Sequence, residues 1–182
     1  MAQRVVDLTL DRPPTLGTGR LIAVDGPAGS GKTTLASAIT RVLPWTHVVH
    51  MDDLYAGWSG LPEVTAQLDS LLLPLAAGEP GSYRRYDWDA GAFAETIKVA
   101  PASVLVLEGV GSGSAAHAEL ITTLVWVSAP HDVRMRRGIE RDGDAFAPYW
   151  EQWARDEAEH FARERTESRA DLHVDSSASR SR

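Results

Sequence analysis

Leu21-Ile22-Ala23-Val24-Asp25-Gly26-Pro27-Ala28-Gly29-Ser30-Gly31-Lys32-Thr33-Thr34 decides how the rest of the chain is read. Its first five residues are a short apolar run ending in an acid, the pattern of a buried strand. Gly26 to Thr33 matches G-x-x-x-x-G-K-[ST], the phosphate-binding loop, at every fixed position. Thr34 to Leu43 reads as a helix. Strand, glycine loop and helix in that order give the pattern a mechanism. Glycines let backbone N–H groups turn inward around phosphate oxygens. The helix N-terminus presents roughly half a positive charge to the same anion. Lys32 reaches the β- and γ-phosphates, and the Thr33 hydroxyl is placed to hold Mg²⁺. The expectation is a chain that binds a nucleoside triphosphate through Gly26, Ala28, Gly29, Ser30, Gly31, Lys32, Thr33 and Thr34.

With 182 residues, a single domain over 1–175 has enough chain for a core, and 176–182 reads as a disordered tail. The net charge of −7 argues against a general nucleic-acid binder. There is no cysteine, hence no thiolate metal site or cysteine nucleophile. No spanning apolar stretch is visible, so membrane attachment is not expected and a cytoplasmic location is. The six histidines form no metal-ligand pattern.

Further runs alternate between strand and helix. Val5–Leu10 is expected to add an edge strand. His47–Met51 reads as a strand ending at Asp52-Asp53-Leu54-Tyr55. Val64, Leu68, Leu71, Leu72 and Leu75 recur at helical spacing, with Pro74 predicting a kink or early end. Tyr83–Trp88 is dense in aromatic and charged residues, and Phe93–Val99 fits either a short helix or a strand. Ser103–Leu107 is a buried strand ending in Glu108-Gly109. Ile121–Val127 is another strand, 132–141 a helix, and Asp142-Gly143-Asp144 a turn. Phe146 to about Glu167 reads as one long helix with Phe146, Trp150, Trp153 and Phe161 near one face. Ala170–Val174 is a last strand. This alternation predicts an α/β fold in three layers, a central parallel sheet with helices on both faces. Ligands in such sheets bind at the carboxyl ends of the strands. Gly26 onward, Asp52/Asp53 and Glu108 all lie at such ends.

Arg134, Arg137 and Arg141 are spaced by three and four, so they share one helix face. Met135 and Ile139 lie roughly opposite, available for packing. Three like charges on one face suit a helical lid that closes over a triphosphate. Arg136 points elsewhere. A carboxylate at Glu108, beside the loop strand, suits the Mg²⁺ shell. Other loop-bearing classes fit poorly. The chain has no asparagine, so it lacks the Asn-Lys-x-Asp segment by which GTPases read guanine. A Ser-Gly-Gly transporter signature is also missing.

The segments GPAGSGKT (26–33), MDDLY (51–55), YDW (86–88), LEG (107–109) and RMRRGIERD (134–142) together resemble the uridine kinase-like family of P-loop kinases. That family includes nicotinamide riboside kinases, phosphoribulokinases and bacterial pantothenate kinases. The resemblance spans Leu21 to Val174. It implies the P-loop NTPase fold and transfer of the γ-phosphoryl of ATP to a hydroxyl of a small metabolite, a nucleoside or related ribosyl compound. It implies Asp52 as general base, with Lys32 and Arg137 completing the catalytic set. Asp53 is the weaker candidate, because neighbours in an extended segment point to opposite sides. Tyr55 matches an acceptor-pocket aromatic. Asp87 resembles the aspartate that grips ribose hydroxyls, although its spacing to Phe93 departs from the family pattern. Arg84 and Arg85 either bind an acidic group on the acceptor or solvate a loop. Tyr83, Tyr86 and Trp88 either stack on a flat ring or pack. The alternative function is a regulatory or assembly protein that binds nucleotide with weak ATPase activity.

Overall fold

The computed structural model describes residues 1–143 and 147–177, without the side chains of Arg141, Asp142 and Ala147. Asp144, Phe146, the Arg141 side chain and 178–182 therefore lie outside the described residues. In chain order the elements are α1 (Ala2–Asp11), β1 (Arg20–Asp25), α2 (Lys32–Val42), β2 (His47–His50), α3 (Thr65–Ala76), β3 (Gly81–Asp87), β4 (Ala92–Val99), β5 (Val104–Glu108), β6 (Thr123–Ser128), α4 (His131–Asp142), α5 (Ala147–Glu164), α6 (Thr166–Arg169) and β7 (Leu172–Asp175).

Five strands form one parallel sheet in the order β2-β5-β1-β6-β7. Alternation along its buried strands feeds two cores. Ile22, Val24, Val104, Val106, Val125 and Val127 face α1 and α2, meeting Val5, Val6, Leu35 and Ile39. Leu21, Leu105 and Leu107 point to the other face, onto Leu68, Leu71 and Leu72 of α3 and Trp153 of α5. A strand buried on both faces is an unbroken apolar run, which is why β1 and β5 are legible as strands. The result is the three-layer α/β architecture.

Several local expectations are corrected. Val5–Leu10 is not an edge strand but part of α1. Val5, Val6 and Thr9 are its buried residues, a helical spacing, and the Thr9 hydroxyl donates to Thr123 Oγ1 on β6 at 2.9 Å. Pro74 lies inside α3, which runs on to Ala76. The expected long helix breaks at Arg165, whose φ of 54° is left-handed, and α6 follows. Tyr83–Trp88 and Phe93–Val99 resolve into an antiparallel hairpin of β3 and β4, separate from the main sheet and packed on α3. Met51–Asp53 is a 3-10 turn rather than the end of an extended strand. Among the described residues no helix is long and apolar enough to cross a membrane.

Candidate active site

The loop between β1 and α2 is pressed between β6 and α4. Gly26 has φ 140°, and a Cβ there would sit 2.0 Å from the Val127 carbonyl oxygen. Gly29 has φ 74°, and a Cβ there would lie 2.4 Å from the Arg134 carbonyl oxygen. Only glycine fits either position. The loop carbonyls turn outward. Ala28 O accepts from Arg134 Nη1 at 3.2 Å, Gly29 O from Arg137 Nη1 at 3.4 Å, and Ser30 O from the Ser176 hydroxyl. Arg137 also donates to Ser176 Oγ and O, at 3.0 and 2.8 Å. The arginine face of α4 thus packs inward, whereas Met135, expected to pack, is exposed.

Lys32 opens α2 and is buried, its Nζ donating to Pro27 O at 3.0 Å. Burial lowers its pKa, and the charges of Glu108, Asp25, Glu157 and Asp52 oppose that shift. Thr33 Oγ1 donates to Glu108 Oε1 at 3.1 Å, and His50 Nδ1 lies 2.6 Å from the same oxygen. Register explains the meeting, because His50 and Glu108 are partners across β2 and β5. The hydrogen bond to Glu108 raises the His50 pKa. A hydroxyl beside a carboxylate is an oxygen donor pair suited to a hard cation, so Thr33 and Glu108 fit Mg²⁺. No group of three or more His, Cys, Asp or Glu side chains among the described residues forms a ready metal cage. Mg²⁺ held by one or two protein oxygens and substrate phosphates needs none.

Asp52 and Asp53 are separated by their surroundings rather than by strand alternation, since the 3-10 turn removes that geometry. The Asp52 charge acts on Lys32, His50 and Tyr55. Asp53 is half-buried, its pKa raised first by burial and eased by His50 and Arg85, which places it toward the hairpin. Trp88 Nε1 donates to Asp52 O at 3.0 Å, tying the hairpin to this turn.

On the hairpin side, Tyr55 is fully buried, its hydroxyl donating to Val110 O and its ring edge-on to Trp153 at 5.2 Å. Trp58 stacks on Tyr149 at 5.1 Å and meets Trp88 edge-on at 5.0 Å. Tyr86 bridges Trp88 and Phe93. The Arg84 guanidinium lies over Phe93, and the Arg84 backbone N–H donates to Gln67 Oε1 at 3.1 Å. Arg85 pairs with Glu95 at 2.7 Å and Asp87 at 3.6 Å. Asp87 Oδ1 accepts from the Asp89 and Ala90 N–H groups and caps the hairpin turn. Lys32, Thr33 and Glu108 are thus gathered at the loop, with the charge of Asp52 acting on Lys32, whereas Arg84, Arg85 and Asp87 are held by partners within the hairpin and on α3.

Three residues escaped the sequence reading. Asp25, 0% exposed, accepts N–H groups from Gly26, Gly111 and Gly113 at 2.7, 3.0 and 2.8 Å and fastens the loop after β5 to the phosphate loop. Burial raises its pKa to about 6, against the pull of those N–H groups and Lys32. An acid closing an apolar strand was its only signal. Glu157 on α5 is 3% exposed and accepts from Ala28 N–H at 2.8 Å and Arg134 Nη1 at 2.9 Å. Its signal was an acid four residues from both Trp153 and Phe161, on the apolar face. His50 gave no signal, because its partner comes from another strand.

No family model and no curated protein matches the chain. Solved structures do. A candidate fructose transport system kinase from Silicibacter sp. TM1040 aligns with TM-score 0.75 and 20% identity, over 95% of this chain and 98% of that one. A possible uridine kinase from Bacillus stearothermophilus aligns at 0.63 and 22%, again over 95% and 98%. A D-glycerate 3-kinase from Cryptococcus neoformans var. grubii aligns at 0.52 and 15%, over 92% and 85%. With its phosphate loop at the carboxyl edge of a five-stranded parallel sheet, the chain has the fold of the P-loop kinases.

Proposed function

We propose that the protein is a kinase that moves the γ-phosphoryl of ATP, with Mg²⁺, onto a hydroxyl of a small metabolite, a nucleoside or related ribosyl compound. The observation that carries this is the pairing of Thr33 with Glu108, 3.1 Å apart, beside the buried Lys32, whose ammonium feels the charge of Asp52. The structural neighbours described as uridine, fructose transport system and glycerate kinases support it.

Loop amides within 28–34 bind the phosphates, the Gly26 N–H being held by Asp25 and Pro27 having none, and Lys32 neutralises charge developing on the transferred group. Thr33 and Glu108 would hold Mg²⁺, which would supply charge neutralisation to the phosphates when bound. Asp52 accepts the proton of the attacking hydroxyl. Arg134 and Arg137 form the lid face, with Arg137 acting on transition-state charge. Tyr55 and the hairpin bearing Arg84 and Asp87 shape the acceptor side. Its aromatic rings suit a flat acceptor better than an open-chain one.

The test is ADP release from Mg²⁺-ATP across a panel of hydroxyl-bearing metabolites. A kinase shows a low background that rises sharply with one compound. ATP binding with no stimulation by any acceptor would favour a nucleotide-binding regulatory protein instead.

A further inference from the structure

Each loop carbonyl from Ala28 to Ser30 has a donor from outside the loop, and the Ala28 N–H has an anionic partner. That partner is the Glu157 carboxylate, brought from α5, which is 129 residues away in sequence. Ala28 is the third residue of a motif whose N–H groups receive phosphate oxygens. Glu157 also takes Arg134 from the lid face, and it sits close enough to Lys32 for each to act on the other's charge. Lys32 itself is turned onto Pro27 O. A carboxylate bonded to a loop amide and to a lid arginine, with its charge acting on the loop lysine, occupies the partners a terminal phosphate would take.

From this geometry we infer that Glu157 is an internal stand-in for the terminal phosphate. Its carboxylate holds the Ala28 N–H and Arg134, and yields both to the γ-phosphate of an arriving nucleoside triphosphate. The inference rests on the kinase assignment. The physical reason is charge. A buried carboxylate and a γ-phosphate cannot share one N–H and one guanidinium without strong repulsion. Handing Arg134 from one anion to the other keeps its positive charge paired throughout. The exchange also makes the residue discriminating. A diphosphate, which lacks the terminal group, leaves Glu157 in place, whereas a triphosphate must displace it.

Equilibrium binding of the non-hydrolysable triphosphate analogue AMPPNP and of ADP, both with Mg²⁺, tests the exchange in the full chain. Glu157→Gln removes the competing charge and keeps the shape. It is expected to tighten AMPPNP binding about tenfold while changing ADP binding less than about threefold. Glu157→Asp draws the carboxylate back from Ala28 but keeps a charge for Arg134, and it should fall between wild type and Glu157→Gln. It serves as the second reading should the amide variant fold poorly, which circular dichroism would reveal. Equal effects on both nucleotides, or weaker AMPPNP binding in either folded variant, would overturn the exchange. Failure of the wild type and both folded variants to bind either nucleotide would instead remove the kinase assignment on which it rests.

Discussion

Around the loop, buried charges find backbone partners: Asp25 takes three N–H groups, Lys32 a carbonyl, and Glu157 the Ala28 N–H. Across Asp52, on the hairpin side, side chains also pack on one another, Trp58 on Tyr149 and Trp88, Tyr86 on Trp88 and Phe93, and Arg85 on Glu95, beside the backbone bonds of Trp88 and Asp87. Backbone partners are rigid and independent of side-chain identity, which suits a ligand part that every nucleotide shares. Side-chain walls can be rebuilt by substitution without disturbing the sheet, which suits the part that differs between acceptors. Asp52 lies where the two meet, its charge toward Lys32 and its carbonyl bonded to Trp88.

The largest expected effect falls on that border. Asp52→Asn should lower kcat roughly 10³-fold, with ATP binding little changed, while Asp53→Asn should cost far less. Equal, small losses in steady-state assays would move the base elsewhere, with Glu108 next in line. On the phosphate side, Lys32→Ala should lower kcat about 10²-fold or more with the fold retained. Near-normal turnover in that variant would break the assignment of the loop to phosphoryl transfer.

A third prediction concerns stability. The Asp25 carboxyl ionises less readily in the fold, at about 6, than its ordinary 3.8, so the folded chain holds its proton where the unfolded chain has lost it. Its contribution favours the fold fully below about 3.8, declines as pH rises toward about 6, and is level above that. The span is on the order of 3 kcal/mol. Asp25→Asn cannot titrate, and its amide faces a third N–H donor with a donor of its own. It should be less stable than wild type by about 2 kcal/mol at neutral pH, and the gap should widen as pH falls from 6 to 4. Urea midpoints of both proteins across that range check this; a narrowing gap would mean that the three N–H groups outweigh burial.

The smallest effect belongs to the acceptor wall. Trp88→Ala removes an exposed ring and should raise acceptor KM up to about tenfold while leaving the ATP KM unchanged, as initial-rate kinetics would resolve. A parallel change in both constants would erase the division between the two sides.

Much of the phosphate side was legible in advance, because strand, glycine loop and helix form one contiguous segment whose geometry is local. The strand end at Glu108 was legible too, since an apolar run ending in an acid marks the carboxyl edge of a parallel sheet, whereas Asp52 lies in a 3-10 turn beyond β2. Val5–Leu10 misled because a short apolar run reads equally well at periods of 2 and 3.6, and only packing against α2 and β6 selects the helix. The hairpin was ambiguous for a related reason. Its alternation is blurred by charged residues that pair along its own surface, as Arg85 does with Glu95.

By itself the sequence determined the phosphate loop, the alternating α/β order and the acids at the strand ends, because each depends on neighbours within a few residues. Only the tertiary structure decided that Glu108 meets both Thr33 and His50, that Asp25 holds the loop after β5, and that Glu157 reaches Ala28 across 129 residues. Those pairings arise when sheet register and helix packing bring distant side chains within hydrogen-bond range, and no local pattern along the chain encodes that distance.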